Sequence, residues 1–270
     1  MAGAILLVGC GKMGSALLQG WLARGVKASE VRVIEPSAAA AAEAAKLGVA
    51  TMADAAGLEA GFRPEVMVLA VKPQTMDQAT QPLAGLAKPG TVVLSIAAGK
   101  TIAGFEARFG AGAAIVRAMP NTPAAVGRGI TVACANSRTG AAQRSRCQDL
   151  LSAVGEVAWV DDEAQMDAVT AVSGSGPAYV FLLIECLAEA AVAAGLAPDL
   201  AMRLARATVC GSGELAYRAS ESAAQLRQNV TSPGGTTKAA LDVLMAPDGL
   251  APLMTRAVAA AARRSKELAG

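Results

Sequence analysis

The residues best suited to chemistry sit at the start of the chain. Gly9-Cys10-Gly11-Lys12-Met13-Gly14 places three glycines at the spacing of a dinucleotide loop, directly after the apolar run Ala4–Val8 and ahead of a helical pattern. Gly9 allows a tight turn, Gly11 lets backbone approach a pyrophosphate, and Gly14 permits close packing of helix on strand. A helix N-terminus then offers unpaired N–H groups and a positive dipole end to the phosphates. Glu35 closes a second apolar run 21 positions after Gly14, where a carboxylate can hold a ribose 2′-hydroxyl. The same carboxylate repels a 2′-phosphate, and Pro36-Ser37-Ala38-Ala39-Ala40 supplies no Lys or Arg to offset it. This favours NADH and leaves NADPH open. The plainer alternative has Glu35 in solvent and Ser37 on the ribose.

Two further apolar runs end in short loops: Ala70-Val71-Lys72-Pro73-Gln74 and Ser95-Ile96-Ala97-Ala98-Gly99. Small residues at the carboxyl ends of parallel strands let a flat ring lie against backbone. Lys72 is equally readable as a solvated loop lysine. Arg117-Ala118-Met119-Pro120-Asn121-Thr122-Pro123 follows another strand pattern, with two prolines that stiffen it. Val172-Ser173-Gly174-Ser175-Gly176-Pro177-Ala178-Tyr179 and Thr231-Ser232-Pro233-Gly234-Gly235-Thr236-Thr237 each put hydroxyls and small residues at a helix start. Such starts gather N–H groups able to bind a carboxylate, although serine and threonine are also ordinary helix caps.

The elements that must carry these loops change in kind along the chain. Strand patterns at Ala4–Val8, Val31–Glu35, Val66–Val71, Thr91–Ile96, Ala114–Ala118, Ile130–Ala133 and Val157–Val160 surround helical stretches at Met13–Arg24, Ala38–Leu47 and Gln74–Leu86. Continuous apolar strands alternating with helices predict an α/β, doubly wound parallel sheet. After Asp161 the strand signal ends, and helices are predicted at Asp162–Val172, Pro177–Ala194, Pro198–Arg218, Gly235–Met245 and Leu250–Leu268. Residues 1–160 thus read as a dinucleotide-binding domain and 161–270 as an all-α domain. Leu187–Ala197 carries one charge, Glu189, so this helix needs burial on most sides, in a bundle core or against another subunit.

Composition narrows the chemistry. There is no histidine, which removes Ser-His-Asp and Cys-His mechanisms and the commonest zinc ligand; no metal site is expected. The five cysteines are isolated and read as reduced thiols of a cytoplasmic protein. A formal charge of +2 and 3% aromatics provide neither a basic field nor stacking platforms for nucleic acid. No membrane span is expected, because the uncharged stretch Ala168–Ile184 is interrupted at Ser-Gly-Ser-Gly-Pro.

Taken together, GCGKMG at 9–14, AVKPQ at 70–74, SIAAG at 95–99, RAMPNTP at 117–123, AVSGSGPAYVF at 171–181 and TSPGGTT at 231–237 resemble the pyrroline-5-carboxylate reductase family, in the family's order and over nearly the whole chain. The resemblance implies a Rossmann-type N-terminal domain and a helical C-terminal dimerisation domain. It also implies reduction of the small molecule 1-pyrroline-5-carboxylate to L-proline by NAD(P)H, and a homo-oligomer built of dimers, up to five around an axis, with active sites formed by both subunits. It assigns Thr237 the hydrogen bond to the substrate's ring nitrogen, and Gly234, Gly235 and Thr236, with Ser232 nearby, the substrate carboxylate. Cofactor contacts fall to Gly9, Gly11, Lys12, Met13, Gly14, Glu35, Asn121 and Asn229, with Ala70, Val71, Lys72, Pro73, Ala97, Ala98 and Gly99 flanking the nicotinamide end. The chain departs from the family's pattern at Ser222-Ala223, where a His-Pro pair is common, and at Lys238, where an apolar residue is usual.

A β-hydroxyacid dehydrogenase shares this two-part plan but needs a lysine on the long helix, and Gly176–Pro198 has none. A non-catalytic dinucleotide sensor is the other alternative, set against the intact MPNTP and TSPGGTT motifs.

Overall fold

In the computed structural model, which describes residues 3–269, the chain forms two compact units. The first comprises residues up to Gly174 together with the last residues from Ala262; the second is Ser175–Ala261.

The first unit is built on eight strands: β1 (Ile5–Val8), β2 (Val31–Ile34), β3 (Ala50–Met52), β4 (Val66–Leu69), β5 (Val92–Ser95), β6 (Ala114–Met119), β7 (Gly129–Ala135) and β8 (Gly155–Trp159). They lie in the order β3-β2-β1-β4-β5-β6-β7-β8. Pairing is parallel except between β6 and β7, so the expected parallel sheet carries one reversal near its edge. The reversal follows from the short path between β6 and β7: residues 120–128 contain only a turn of 3₁₀ helix, too little for a crossover back to the other end of the sheet.

Alternate strand residues feed two cores. Ile5, Leu7, Val31, Val33, Val66 and Val68 pack with Leu17, Leu18 and Trp21 of α1 (Lys12–Ala23). Leu6, Val8, Met67, Leu69 and Ile115 pack on the other face with Phe105 and Phe109 of α4 (Ile102–Phe109). Between these in sequence come α2 (Ala38–Ala45) and α3 (Met76–Thr80), and α5 (Ala141–Leu151) and α6 (Met166–Val169) follow. β1 and β4 are buried along their whole length, which is why they read as unbroken apolar runs rather than alternating ones. The edge strand β3 has three residues, and β8 alternates half-buried Val157 and Trp159 with exposed Glu156 and Ala158.

The helix expected over Gln74–Leu86 is α3 flanked by two stretches of 3₁₀ helix. Pro82 lacks the N–H an α-helix would use there, and Pro73 starts the first of the 3₁₀ turns. The first compact unit runs on to Gly174, and 161–174 is held to it by side-chain bonds. Glu163 accepts hydrogen bonds from the Ile102 N–H (2.9 Å) and from Arg117 (2.8 Å), and Asp167 accepts one from Ser265 (2.7 Å). Thr170–Gly174 is a π-helical turn, after which Ser175 bends the chain into the next helix.

The second unit contains α7 (Gly176–Ala193), α8 (Pro198–Arg218), α9 (Ala223–Asn229), α10 (Thr236–Leu244) and most of α11 (Leu250–Ala269). Only Ala188, Ala201 and Ala205 are buried in it, while Phe181, Leu182, Leu183, Leu204, Leu215 and Val243 are exposed. Glu163–Ala193 has the length and apolar composition to cross a membrane.

Candidate active site

Each glycine of the first loop has a distinct steric reason. Gly9 has φ 92°, and a Cβ there would lie 2.9 Å from the Ala70 carbonyl. A Cβ on Gly14 would strike the Gly9 carbonyl oxygen. Gly11 is different: a Cβ there meets nothing within 4 Å. The fold itself does not need glycine at 11, and the space above it is open. Gly11 is also the N-cap of α1 and offers no side-chain cap, and the first turn contains no acidic residue. The start of α1 therefore presents N–H groups and a positive dipole end beside a bare cradle, which is the arrangement a pyrophosphate requires.

Glu35 stands just past β2 and is 9% exposed. Its two oxygens accept hydrogen bonds from the Cys10 N–H (2.7 Å) and the Ser37 N–H (2.9 Å). It braces the loop against the next one, and spare lone pairs on the carboxylate remain for a ribose hydroxyl. The Cys10 thiol is pushed up to about 11, first by burial and then by the Glu35 charge, so it stays neutral in the loop.

The other predicted turns gather at the same carboxyl edge of the sheet. The Ala70 N–H donates to the Val8 carbonyl, which seats the AVKP turn against the glycine loop. Lys72 is exposed and Pro73 half-buried. Ser95 is fully buried, and its hydroxyl accepts the Ala97 N–H at 3.3 Å, shaping the Ala97-Ala98-Gly99 turn. Gly99 has φ 69°, and a Cβ there would lie 3.1 Å from the Leu268 carbonyl oxygen. Asn121 uses its side-chain oxygen to accept the Ile130 N–H at 3.0 Å, so it holds the proline-rich loop in place. Met119 of that loop lies against Gly174, where a Cβ would collide with its terminal methyl. The hydroxyls of Thr170 and Ser173 donate back to the carbonyls of Met166 and Val169. Within the AVSGSGP segment, the Ser173 hydroxyl is thus turned to the helix's own backbone.

In the second unit, TSPGGTT forms a compact turn. Gly234 has φ 71°, the Gly235 N–H donates to the Ser232 carbonyl (3.1 Å), and a Cβ on Gly235 would strike the Ser232 hydroxyl. Gly235 caps α10 with no side chain, and no acidic residue lies in its first turn. Ser232, Gly234 and Thr236 are exposed and Thr237 is half-buried. Thr231 is spent on the Arg227 carbonyl. Asn229, at the end of α9, donates to Glu221 (3.3 Å) and accepts from Gln225 (2.8 Å).

Two features of the structure had no signal in sequence spacing: the Arg117–Glu163 ion pair and the Asp167–Ser265 bond, whose partners are 46 and 98 positions apart.

A doubly wound sheet with a bare glycine cradle at its switch point defines a dinucleotide-dependent oxidoreductase of the two-part, helix-tailed class. Comparison with known proteins narrows the class. Residues 163–268 match the family model for pyrroline-5-carboxylate reductase dimerisation, and residues 4–99 match that of the NADP oxidoreductases described as coenzyme F420-dependent. The chain is 43% identical to the pyrroline-5-carboxylate reductase of Pseudomonas aeruginosa over 98% of its own length and 96% of that protein's. Among solved structures, the reductase of Coxiella burnetii superposes with a TM-score of 0.93 at 37% identity, covering all of both chains. That of Plasmodium falciparum, with NADP bound, gives 0.81 at 30% identity over 99% of this chain and 98% of that one. The chain belongs to the pyrroline-5-carboxylate reductase family.

Proposed function

We infer that the protein reduces 1-pyrroline-5-carboxylate to L-proline, the final step of proline biosynthesis, using NAD(P)H. The observation that carries this reading is the side-chain-free helix start at Gly11, with open space above it, in a chain of this family. The reduced nicotinamide supplies the hydride that the imine carbon accepts. The N–H groups beyond Gly11 hold the pyrophosphate, and the AVKP and Ala97–Gly99 turns lie along the nicotinamide. N–H groups of Gly234, Gly235 and Thr236, with the Ser232 hydroxyl beside them, fix the substrate carboxylate. The Thr237 hydroxyl donates to the ring nitrogen and stabilises the amine as it forms. A protonated imine is already electrophilic, so no imidazole is needed; alignment of two rings is the main task.

Asn121 and Asn229 belong to the cofactor's surroundings through the loops they hold. Glu35, fixed by Cys10 and Ser37, favours a free ribose 2′-hydroxyl and hence NADH. The exposed apolar faces of α7 and α8 support assembly as a homodimer, five of which build a decamer. The same faces account for the membrane-like composition of Glu163–Ala193 as a helix covered by another subunit. Free thiols at all five cysteines accord with a cytoplasmic protein.

The test is direct. Purified protein given pyrroline-5-carboxylate and either NADH or NADPH is expected to consume the nicotinamide absorbance, with the higher kcat/KM for NADH. No consumption with either cofactor overturns the activity; a large NADPH preference overturns only the reading of Glu35.

A further inference from the structure

At the amino ends of β4 and β5, on the opposite edge of the sheet from the glycine loop, lies an open cavity of about 460 Å³. Arg63, Lys88 and Arg146 line it with one carboxylate, Glu65, leaving two positive charges in excess. Among the described residues, neither the Arg63 guanidinium nor the Lys88 ammonium forms a hydrogen bond or ion pair, and Lys88 bonds through its backbone alone. Arg146 is the more telling residue. Its Nε and Nη2 are buried from solvent and have no hydrogen-bond partner. A guanidinium in that state lacks bonds that water would give it, and a buried donor left unbonded is destabilising. None of these four residues belongs to the cofactor or substrate loops.

We propose that this cavity binds a small molecule carrying a phosphate group, with Arg146 turning to meet the dianion and Lys88 and Arg63 completing its charge. Phosphate matches the two-charge excess, and a guanidinium fork bonds its oxygens in pairs. The cavity is larger than a bare phosphate and lies within the range of small-ligand pockets. Pro64 and Pro89 give it an apolar wall for the organic remainder of a monoester.

The experiment is calorimetric titration of the full chain, saturated with NADH so that the cofactor loops are filled, using inorganic phosphate and phenyl phosphate at fixed ionic strength. Both are expected to bind, phenyl phosphate about tenfold tighter through burial of its ring. Lys88→Gln and Arg146→Met are each expected to weaken binding about tenfold, as loss of one charge-assisted bond does, and to leave reductase kinetics in phosphate-free buffer unchanged. Heats no greater than dilution, or equal affinity in wild type and variants, overturn the proposal. Should Arg146→Met fail to fold, Lys88→Gln decides alone, because Lys88 stands exposed on a turn.

Discussion

The two units solve the burial problem in opposite ways. In the first, Ile5, Leu7, Leu17, Leu18, Val66 and Leu94 are wholly buried, and both faces of the sheet are covered by the unit's own helices and turns. In the second, only three alanines are buried and the large apolar side chains of α7 and α8 face outward. A sheet with covered faces is a finished core. A set of helices with bare apolar faces is half of one, and a second copy of the same chain is the natural other half for a family whose model describes dimerisation. The first unit is therefore free to spend its loops on a ligand, whereas the helical unit must spend its surface on association.

That contrast is most exposed at Gly11. Its Cβ position is empty space, so Gly11→Val should leave the melting temperature of the protein within a degree or two while weakening NAD(P)H binding by roughly 10³-fold, because the side chain takes the pyrophosphate's place. Fluorescence titration with NADH, beside a thermal melt, checks both halves; unaltered affinity breaks the claim that the cradle belongs to a ligand. In the second unit, Thr237→Ala should lower kcat/KM by about 10- to 10³-fold with little change in stability, as loss of one positioned donor does. Steady-state kinetics would show it, and unchanged kinetics would confine the helical unit to assembly.

Arg117→Met sharpens the idea of a self-sufficient first unit. It leaves the half-buried Glu163 with the Ile102 N–H alone and should cost about 1–2 kcal/mol in chemical denaturation, less than breaking a fully buried pair because water can reach the carboxylate. Leu204→Glu addresses the other side of the comparison. A charge on an apolar association face should weaken assembly by about 30-fold or more in sedimentation equilibrium. If the oligomer is indifferent to it, α8 is not part of the covered face. The smallest effect concerns Cys147, whose thiol burial pushes up to about 12, against the pull of the Arg146 charge. The unfolded thiol ionises first, near its ordinary value, so this stabilisation is complete below that value and is lost as pH rises toward 12. Urea midpoints measured from pH 8 to 10.5 should fall less steeply in Cys147→Ala than in the parent.

Much of this was legible in the residues. The strands were visible because burial on both faces leaves runs such as Ile5–Val8 and Val66–Leu69 without polar interruption. The glycine loop was visible because steric limits at Gly9 and Gly14 admit nothing larger. What stayed hidden depended on distant partners. β3 is three residues long and barely apolar, and α9 is too short to show a period. The anchoring of 161–174 to the first compact unit was equally hidden, because Glu163 and Asp167 bind residues far away in sequence. Lengths of 3₁₀ helix around Pro73 and Pro82 broke a predicted helix that periodicity alone made continuous. Glu35 was placed at the right strand end, but its grip on Cys10 and Ser37 is a matter of geometry that spacing does not contain.

The margins of the sheet carry a last consequence. One margin is β3, a mere three residues, and the other is β8, where Glu156 faces outward. Short, charged margins make poor templates for a foreign strand, so polymer growth by strand addition is discouraged at both ends. Association between copies of this chain is thereby left to surfaces other than the sheet's margins.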